Sequence, residues 1–207
     1  MAMVDTNDEY VRQEVFRNEL LSDETIQWTG QPDPYVIFTK ADIFLIPFSL
    51  MWGGFAVFWE LAVLGFLFDS SKHGGPPIIF PLFGLPFVLV GIYFIIGRFF
   101  FKAWKQRHTF YAVTNKRILI AIGNAKSIQA VFIKSIPSIS KSIGANRIGT
   151  VVFGISNSRW WDYANTGMEW MGSRYGPPPP SFYDIAGADS VYNIVNQLRD
   201  DSGEKRF

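Results

Sequence analysis

The chain has no cysteine and only two histidines, His73 and His108, among its 207 residues. Without cysteine there is no disulfide framework, no thiolate metal site and no cysteine nucleophile. Two isolated histidines and no HExxH leave too little for a histidine-based zinc centre. GxxxxGK, GxGxxG and GxSxG are also absent, so phosphate-cradling and nucleophile-elbow enzymes lose their usual carriers. No cofactor is expected, and an enzyme is the last of the readings. Charge is scarce in one region only: residues 43–97 carry Glu60, Asp69 and Lys72 as their charged side chains.

The charges that are present fall into blocks. Residues 1–42 hold nine acidic and three basic side chains, a balance of −6. From Arg98 to Trp161 there are eleven Lys or Arg and no Asp or Glu, and 98–207 as a whole balances at +8. The net charge of +1 hides this segregation, which is a better guide to organisation.

Between the blocks lie two apolar runs, Ile43 to Phe68 (26 residues, broken by Glu60) and Ile78 to Gly97 (20 residues without a charge). As helices they would be about 39 and 30 Å long, against a hydrocarbon core of about 30 Å. The link, Asp69-Ser-Ser-Lys-His-Gly-Gly-Pro-Pro77, has the chemistry of a tight reversal. The expected architecture is a transmembrane hairpin of 43–68 and 78–101 joined by a short external turn at 69–77. Arg98, Lys102, Lys105 and Arg107 crowd the end of the second span and Lys40 precedes the first, while the link holds only Lys72. That bias places both termini in the cytoplasm. The polar, acidic residues 1–42 contain no apolar core of a cleavable signal peptide.

The same four cations, Arg98, Lys102, Lys105 and Arg107, are expected to meet anionic lipid headgroups, each contributing about 1 kcal/mol if held near such a surface. A phosphoinositide-like or nucleotide-phosphate pocket is the alternative use of the basic block. Nucleic acid is not expected as a partner, because the bilayer already accounts for the sign of the charge.

Inside the first span, Glu60 shares a helical face with Gly53 and Ala56; in the second, Gly84 and Gly91 are seven apart and share another. Gly53, Ala56, Glu60, Gly84 and Gly91 are therefore the expected intramembrane helix contacts, within the hairpin or to a neighbouring subunit. Counting equal depths from the link sets Glu60 opposite Pro86, with Arg98 about 18 Å further along. No cation of the hairpin is then in reach. Glu60 admits three readings: a hydrogen-bonded or interface-proximal packing residue, a contact to another chain, or a proton- or ion-handling group. Pro81 and Pro86 are expected to kink the second span.

The basic block reads as β structure. Thr109–Thr114 and Arg117–Ile122 flank Asn115-Lys116, a hairpin signal. Gly123-Asn124 leads into Ser127–Ile133, where Ile128, Ala130 and Phe132 alternate; Ser138–Ile143, Arg147–Ile155 and Phe182–Ile185 supply further strands. Val191, Ile194, Val195 and Leu198 form one apolar stripe of a closing helix. The fold class is thus membrane α+β: a two-helix transmembrane hairpin plus a small antiparallel β-barrel or bent sheet, over 105–200, closed by a C-terminal α-helix. Residues 1–42 form an acidic arm with a short helix after a Thr6–Glu9 capping box, its acidic excess lying across the basic domain.

Thr114-Asn115-Lys116-Arg117 within HTFYAVTNKRILI, a glycine turn, GTVVFG and a terminal helix, together with Trp28-Thr-Gly-Gln-Pro32 ahead of the first span, resemble the bacterial PH-like domains of two-span membrane proteins. The resemblance covers roughly residues 20–155 and 182–199 and rests largely on turn chemistry. It implies a PH-like fold on the cytoplasmic face of a bacterial inner (plasma) membrane. No catalytic residue is carried over, and the fold hosts lipid, peptide and protein binders alike.

The insertion 155–181 departs from that pattern. Its Trp160, Trp161, Tyr163, Met168, Trp170 and Met171 are expected to form a protein-interaction loop, with a flap over the barrel or a lipid contact as alternatives. Pro177–Pro180 reads as a polyproline II run. The functional expectation is a membrane-anchored, non-enzymatic binding or scaffold protein. The alternatives are an accessory subunit of a larger membrane complex and a homo-oligomeric two-span channel using Glu60. Its partners are membrane lipids and either another membrane protein or a second copy.

Overall fold

The structure, a computed structural model, describes residues 6–69, 79–144, 146–155, 164–169 and 178–204. Helix α1 (Thr6–Phe16) precedes strand β1 (Ile26–Gly30) and the long helix α2 (Asp42–Asp69). Helix α3 (Ile79–Ile92) continues through a π-helical turn, Tyr93–Gly97, into α4 (Arg98–Arg107). The second span was expected to end at residue 101; its helix instead runs to Arg107. Asp42–Leu67 and Ile79–Arg107 are both long and apolar enough to cross a membrane.

Strands β2 (Thr109–Thr114), β3 (Arg117–Ile122) and β4 (Ser127–Phe132) follow, then β5 (Ile139–Ile143), β6 (Ile148–Phe153), β7 (Ser181–Ala186) and the terminal helix α5 (Ala188–Glu204). They make two antiparallel sheets, β1-β2-β3-β4 and β5-β6-β7. The hairpin read from Asn115-Lys116 is present, with Val113 paired to Ile118. The next turn carries Gly123, Asn124 and Ala125 at positive φ. The barrel is not closed. Among the described residues the only backbone bridge linking the sheets is that between Pro32 and Ile185, next to a 2.8 Å bond from the Asp33 N–H to the Asp184 carbonyl, and β4 pairs with no strand of the second sheet.

One core lies between the sheets. Tyr111, Val113, Ile118 and Ile120 come from the first sheet, Val151, Phe153, Phe182 and Ile185 from the second, and Val191 and Val195 from α5. Phe182 is its centre, with ring centroids 4.5 Å from Tyr111, 4.9 Å from Phe153 and 5.8 Å from Trp28. The stripe read on α5 is the face that closes this core, Ile194 and Leu198 being partly buried against it.

A second, smaller core covers the other face of the first sheet, where Phe16 of α1 is fully buried against Ala112, Leu119 and Ala121. Strands β2 and β3 are therefore covered on both faces and read as apolar runs rather than alternations. The alternating Ile128, Ala130 and Phe132 lie on this α1 side rather than in the main core. Phe132 stays 54% exposed, with the Arg117 guanidinium 5.8 Å over its ring.

Residues 1–42 are not a separate arm. β1 pairs with β2, an edge strand that five residues of mixed polarity did not announce. Part of the acidic excess does lie against the basic block. Lys116 pairs with Asp23 at 2.5 Å, and Arg117 pairs with Glu24, whose side chain is inaccessible, also at 2.5 Å. Burial alone would raise the Glu24 carboxyl. The Arg117 guanidinium, the Leu21 N–H and the Thr114 hydroxyl outweigh that and hold it at about 2.

A carboxyl depressed in the folded state stabilises above its ordinary pKa, and that stabilisation is lost as pH falls from about 4.5 toward 2. Between pH 7 and pH 3 the loss is about 2 kcal/mol. Thermal unfolding of the wild type and Glu24→Gln is expected to show a gap at pH 7 that narrows by about that amount at pH 3. A gap independent of pH would show that the carboxylate is not held by Arg117.

Candidate functional site

Arg98, Lys102 and Gln106 recur at i, i+4 and i+8, one face of α4. All three are buried, Arg98 at 0% and Lys102 at 1% exposure, while Phe100, Phe101 and Trp104 on the other side are exposed. The helix is amphipathic in the inverted sense, its polar face turned into the protein and its aromatic face out. The π-helical turn ahead of it, in which the Arg98 N–H reaches the Tyr93 carbonyl, adds one residue to the turn and so resets which face of α4 meets the sheets.

Each of the three side chains finds a partner from far along the chain. The Arg98 guanidinium pairs with Asp42 at the start of α2 and donates through Nε to the Phe94 carbonyl at 2.9 Å. Asp42 also accepts from the Thr39 N–H and hydroxyl, and its own N–H donates to the Thr39 carbonyl at 3.0 Å, which ties the turn before α2 to the helix start. Lys102 Nζ donates to the Ile37 carbonyl at 3.2 Å and lies 3.4 Å from Asp184 Oδ2. The same carboxylate oxygen accepts from Gln106 Nε2 at 2.9 Å and Asn165 Nδ2 at 2.5 Å. Asp184 stands at φ +49°, beside the register irregularity between β6 and β7. A non-glycine residue holds that conformation only where its surroundings fix it, and here three donors converge on one oxygen.

Of the four cations expected to meet lipid headgroups, Arg98 and Lys102 are instead buried in the protein. Arg98 and Lys102 are withdrawn from any surface because their helix face packs against Asp42 and Asp184. Lys105 lies 3.6 Å from Glu169, and of the four only Arg107 is exposed and outside every ion pair among the described residues. The two buried cations are each answered by a carboxylate, the buried Asp42 and the largely covered Asp184, and this pairing is the condition under which such charges can be buried at all.

The described part of the insertion, 164–169, belongs to this junction. Tyr93 donates its hydroxyl to the Gly167 carbonyl at 2.5 Å. Gly167 has φ +82°, and a Cβ there would collide with the Arg98 carbonyl. Met168, expected in an exposed interaction loop, is 3% exposed and packs with Ala41, Leu45 and Phe94. Its neighbours in that expectation, Trp160, Trp161, Tyr163, Trp170 and Met171, lie outside the described residues, as does most of the link at 69–77.

The small-residue faces are used inside the hairpin. A Cβ on Gly91 would come within 2.9 Å of the Gly53 Cα, so the helices cross backbone to backbone there. Ala56 is buried on the same face, and Glu60 lays its carboxylate over Gly84, where a Cβ would collide with Oε2. Glu60 thus faces Gly84 rather than Pro86, two residues from the position that equal-depth counting gave. Oε2 is buried without a hydrogen-bond partner.

The segment Trp28-Thr-Gly-Gln-Pro32 joins these parts. Trp28 stacks on Phe182 and covers Gly30, where any Cβ would strike its ring. Gln31 donates to the Arg107 carbonyl at 2.8 Å, and the Thr109 hydroxyl to the Lys105 carbonyl at 2.8 Å, so the last turn of α4 is capped by the strands it feeds.

Beside the junction, a cleft of about 520 Å³ opens between residues 36–40 and the outer face of the second sheet. Thr150, Ser181 and Tyr183 line its floor, Ser142 and Asn146 one end, and Lys40 the rim. Burial raises the Tyr183 phenol above its ordinary value, so it is a neutral hydroxyl at physiological pH. Among the described residues lining the cleft, no nucleophile is paired with a base. Among the described residues no group of three His, Cys, Asp or Glu is placed to hold a metal ion. The chain matches no family model, no curated protein and no solved structure.

Proposed function

We propose that the chain is a membrane-anchored, non-enzymatic binding or scaffold protein that presents a PH-like domain at the cytoplasmic face of a bacterial inner membrane. The observation that carries this reading is the junction. Lys102 and Gln106 join the second helix to Asp184 of β7, Tyr93 joins it to Gly167 of the insertion, and Arg98–Asp42 fastens the two helices to each other at the same end, so the apolar hairpin meets the sheets by direct contacts rather than by a free linker. A domain fixed in this way meets its partner at one height and one orientation, which suits a scaffold. The nearly unbroken apolar exterior of the hairpin, with Phe44, Phe55, Phe58, Phe83 and Leu89 exposed, supports a lipid surrounding.

The accessory-subunit alternative draws on one feature, a groove of about 410 Å³ on the hairpin lined by Trp52, Phe55, Trp59, Phe80, Phe83 and Phe87. The channel alternative is weakened by Glu60, which leans onto Gly84 within the hairpin instead of away from it.

The absence of native cysteine makes the topology directly testable. Single cysteines placed at Lys126 and at His73 are expected to react with a membrane-impermeant maleimide from opposite sides, Lys126→Cys from the cytoplasm. Native mass spectrometry of the chain extracted at endogenous level would then separate the readings. A stoichiometric second polypeptide supports the scaffold or accessory role, whereas a conducting homo-oligomer silenced by Glu60→Gln would overturn it.

A further inference from the structure

The cations expected at headgroups are mostly consumed in the junction, yet the cleft beside it retains a positive charge of its own. Lys40 on its rim is exposed and makes no ion pair among the described residues. Asp184, the one carboxylate among the described residues that line the cleft, is already matched by Lys102, Gln106 and Asn165. The net charge facing the cleft is therefore positive.

Its other polar groups are neutral donors. The Ser142 hydroxyl and Asn146 amide bond to no described residue, and Thr150 accepts from the Asp184 N–H at 3.3 Å, leaving its own proton free to donate. Val36, Phe38, Ile143, Ile148 and Val152 supply apolar wall between them. One cation, several hydroxyl or amide donors and an apolar flank are what a phosphodiester with an attached glyceryl ester requires. A volume of about 520 Å³ is within the range of small-ligand sites.

Position narrows the source. One wall of the cleft, residues 36–40, runs directly into α2. Phe38 on that wall is exposed, as are Tyr35 and Ile37 in the same segment and Phe100 and Trp104 on α4. Aromatic and apolar side chains clustered at the end of a spanning helix mark the headgroup level of a bilayer.

We propose that this cleft binds the phosphodiester headgroup of an anionic glycerophospholipid of the surrounding leaflet, with Lys40 as its charge contact and Ser142, Asn146 and Thr150 as hydrogen-bond donors. This rests on the membrane reading above and deepens it, replacing a diffuse basic surface by one built site.

The test uses the full chain in phosphatidylcholine nanodiscs containing a minority of phosphatidylglycerol, with retained lipids counted by native mass spectrometry. Wild type is expected to retain phosphatidylglycerol in preference to phosphatidylcholine. Lys40→Gln is expected to reduce that preference about fivefold, and Lys126→Gln, on the exposed turn after β3, to leave it unchanged. Ser142→Ala with Asn146→Ala, which changes no charge and removes no bond to a described residue, is expected to lower retention while thermal unfolding stays that of the wild type.

No preference in the wild type, or equal losses from Lys40→Gln and Lys126→Gln, would overturn the site while leaving the membrane anchor intact. Displacement of the retained lipid by soluble glycerol phosphate would overturn the lipid assignment in favour of a soluble phosphoester. Failure of the chain to enter the disc would remove the membrane reading, and this proposal with it.

Discussion

Asp42→Ala is expected to destabilise the purified protein by about 3–5 kcal/mol, the usual cost of removing one partner from a buried ion pair. The Arg98 and Asp42 side chains are at most 4% exposed, so the guanidinium left behind cannot be solvated where it stands. Its Nη2 already lacks a hydrogen-bond partner in the intact protein, which leaves no reserve. The same substitution removes the acceptor of the Thr39 N–H and hydroxyl and so loosens the start of α2.

The decisive comparison is the double variant Asp42→Leu with Arg98→Met. It deletes both charges, and replacing a whole buried pair by apolar groups is often neutral. Thermal unfolding in detergent should place the double variant well above Asp42→Ala. Asp42→Ala within about 1 kcal/mol of wild type would mean that the pair is hydrated and does not lock the two helices of the hairpin together at this end.

Gly91→Leu should be the most damaging change within the hairpin, costing roughly 3 kcal/mol as overpacking against a rigid neighbour. The atom that a Cβ would meet is the Gly53 Cα, part of the backbone, so the helices must separate to admit it. Gly84→Ala is the informative contrast. There the obstacle is the end of the Glu60 side chain, which can swing aside, and the expected cost is below about 1 kcal/mol. At Gly54 a Cβ meets nothing within 4 Å, and Gly54→Ala should be neutral or slightly stabilising. Unfolding of the three variants by denaturing detergent gives the order directly. A cost at Gly54 equal to that at Gly91 would refute the crossing point.

The contrast between Gly91 and Gly84 also shows how far spacing alone reaches. Glycines seven apart and a Gly-Ala-Glu face announced where helices approach, because small residues at helical spacing have few other uses in a long apolar run. Which glycine meets which partner depends on the geometry of the reversal, and equal-depth counting misplaced Glu60 by two residues. The β region was legible for a similar reason. Turn residues at Asn115-Lys116 and Gly123-Asn124 act locally, and a two-residue period is local as well. β1 was missed because its pairing with β2, more than eighty positions away, compensates for weak local propensity.

The junction was hardest to read. A run of lysines and arginines after an apolar stretch looks like headgroup chemistry when only the sign of the charge is considered. The i, i+4, i+8 recurrence of Arg98, Lys102 and Gln106 was in the sequence and marks one helix face, but a face does not say what it meets. Met168 misled in the same way: a thioether among aromatic residues suits an interface and a core equally well.

Local sequence alone carried the long apolar helices, their small-residue faces, the succession of strands β2 to β7 and the apolar stripe of the last helix. Each of these is a periodic or local property of neighbouring residues. Tertiary structure alone decided that the sheets remain two, that the first forty residues contribute a strand, and that Asp42 and Asp184 neutralise the cations leaving the hairpin. Those outcomes turn on desolvation: a charge is left in water or drawn into the protein according to whether a carboxylate far away in the chain arrives beside it.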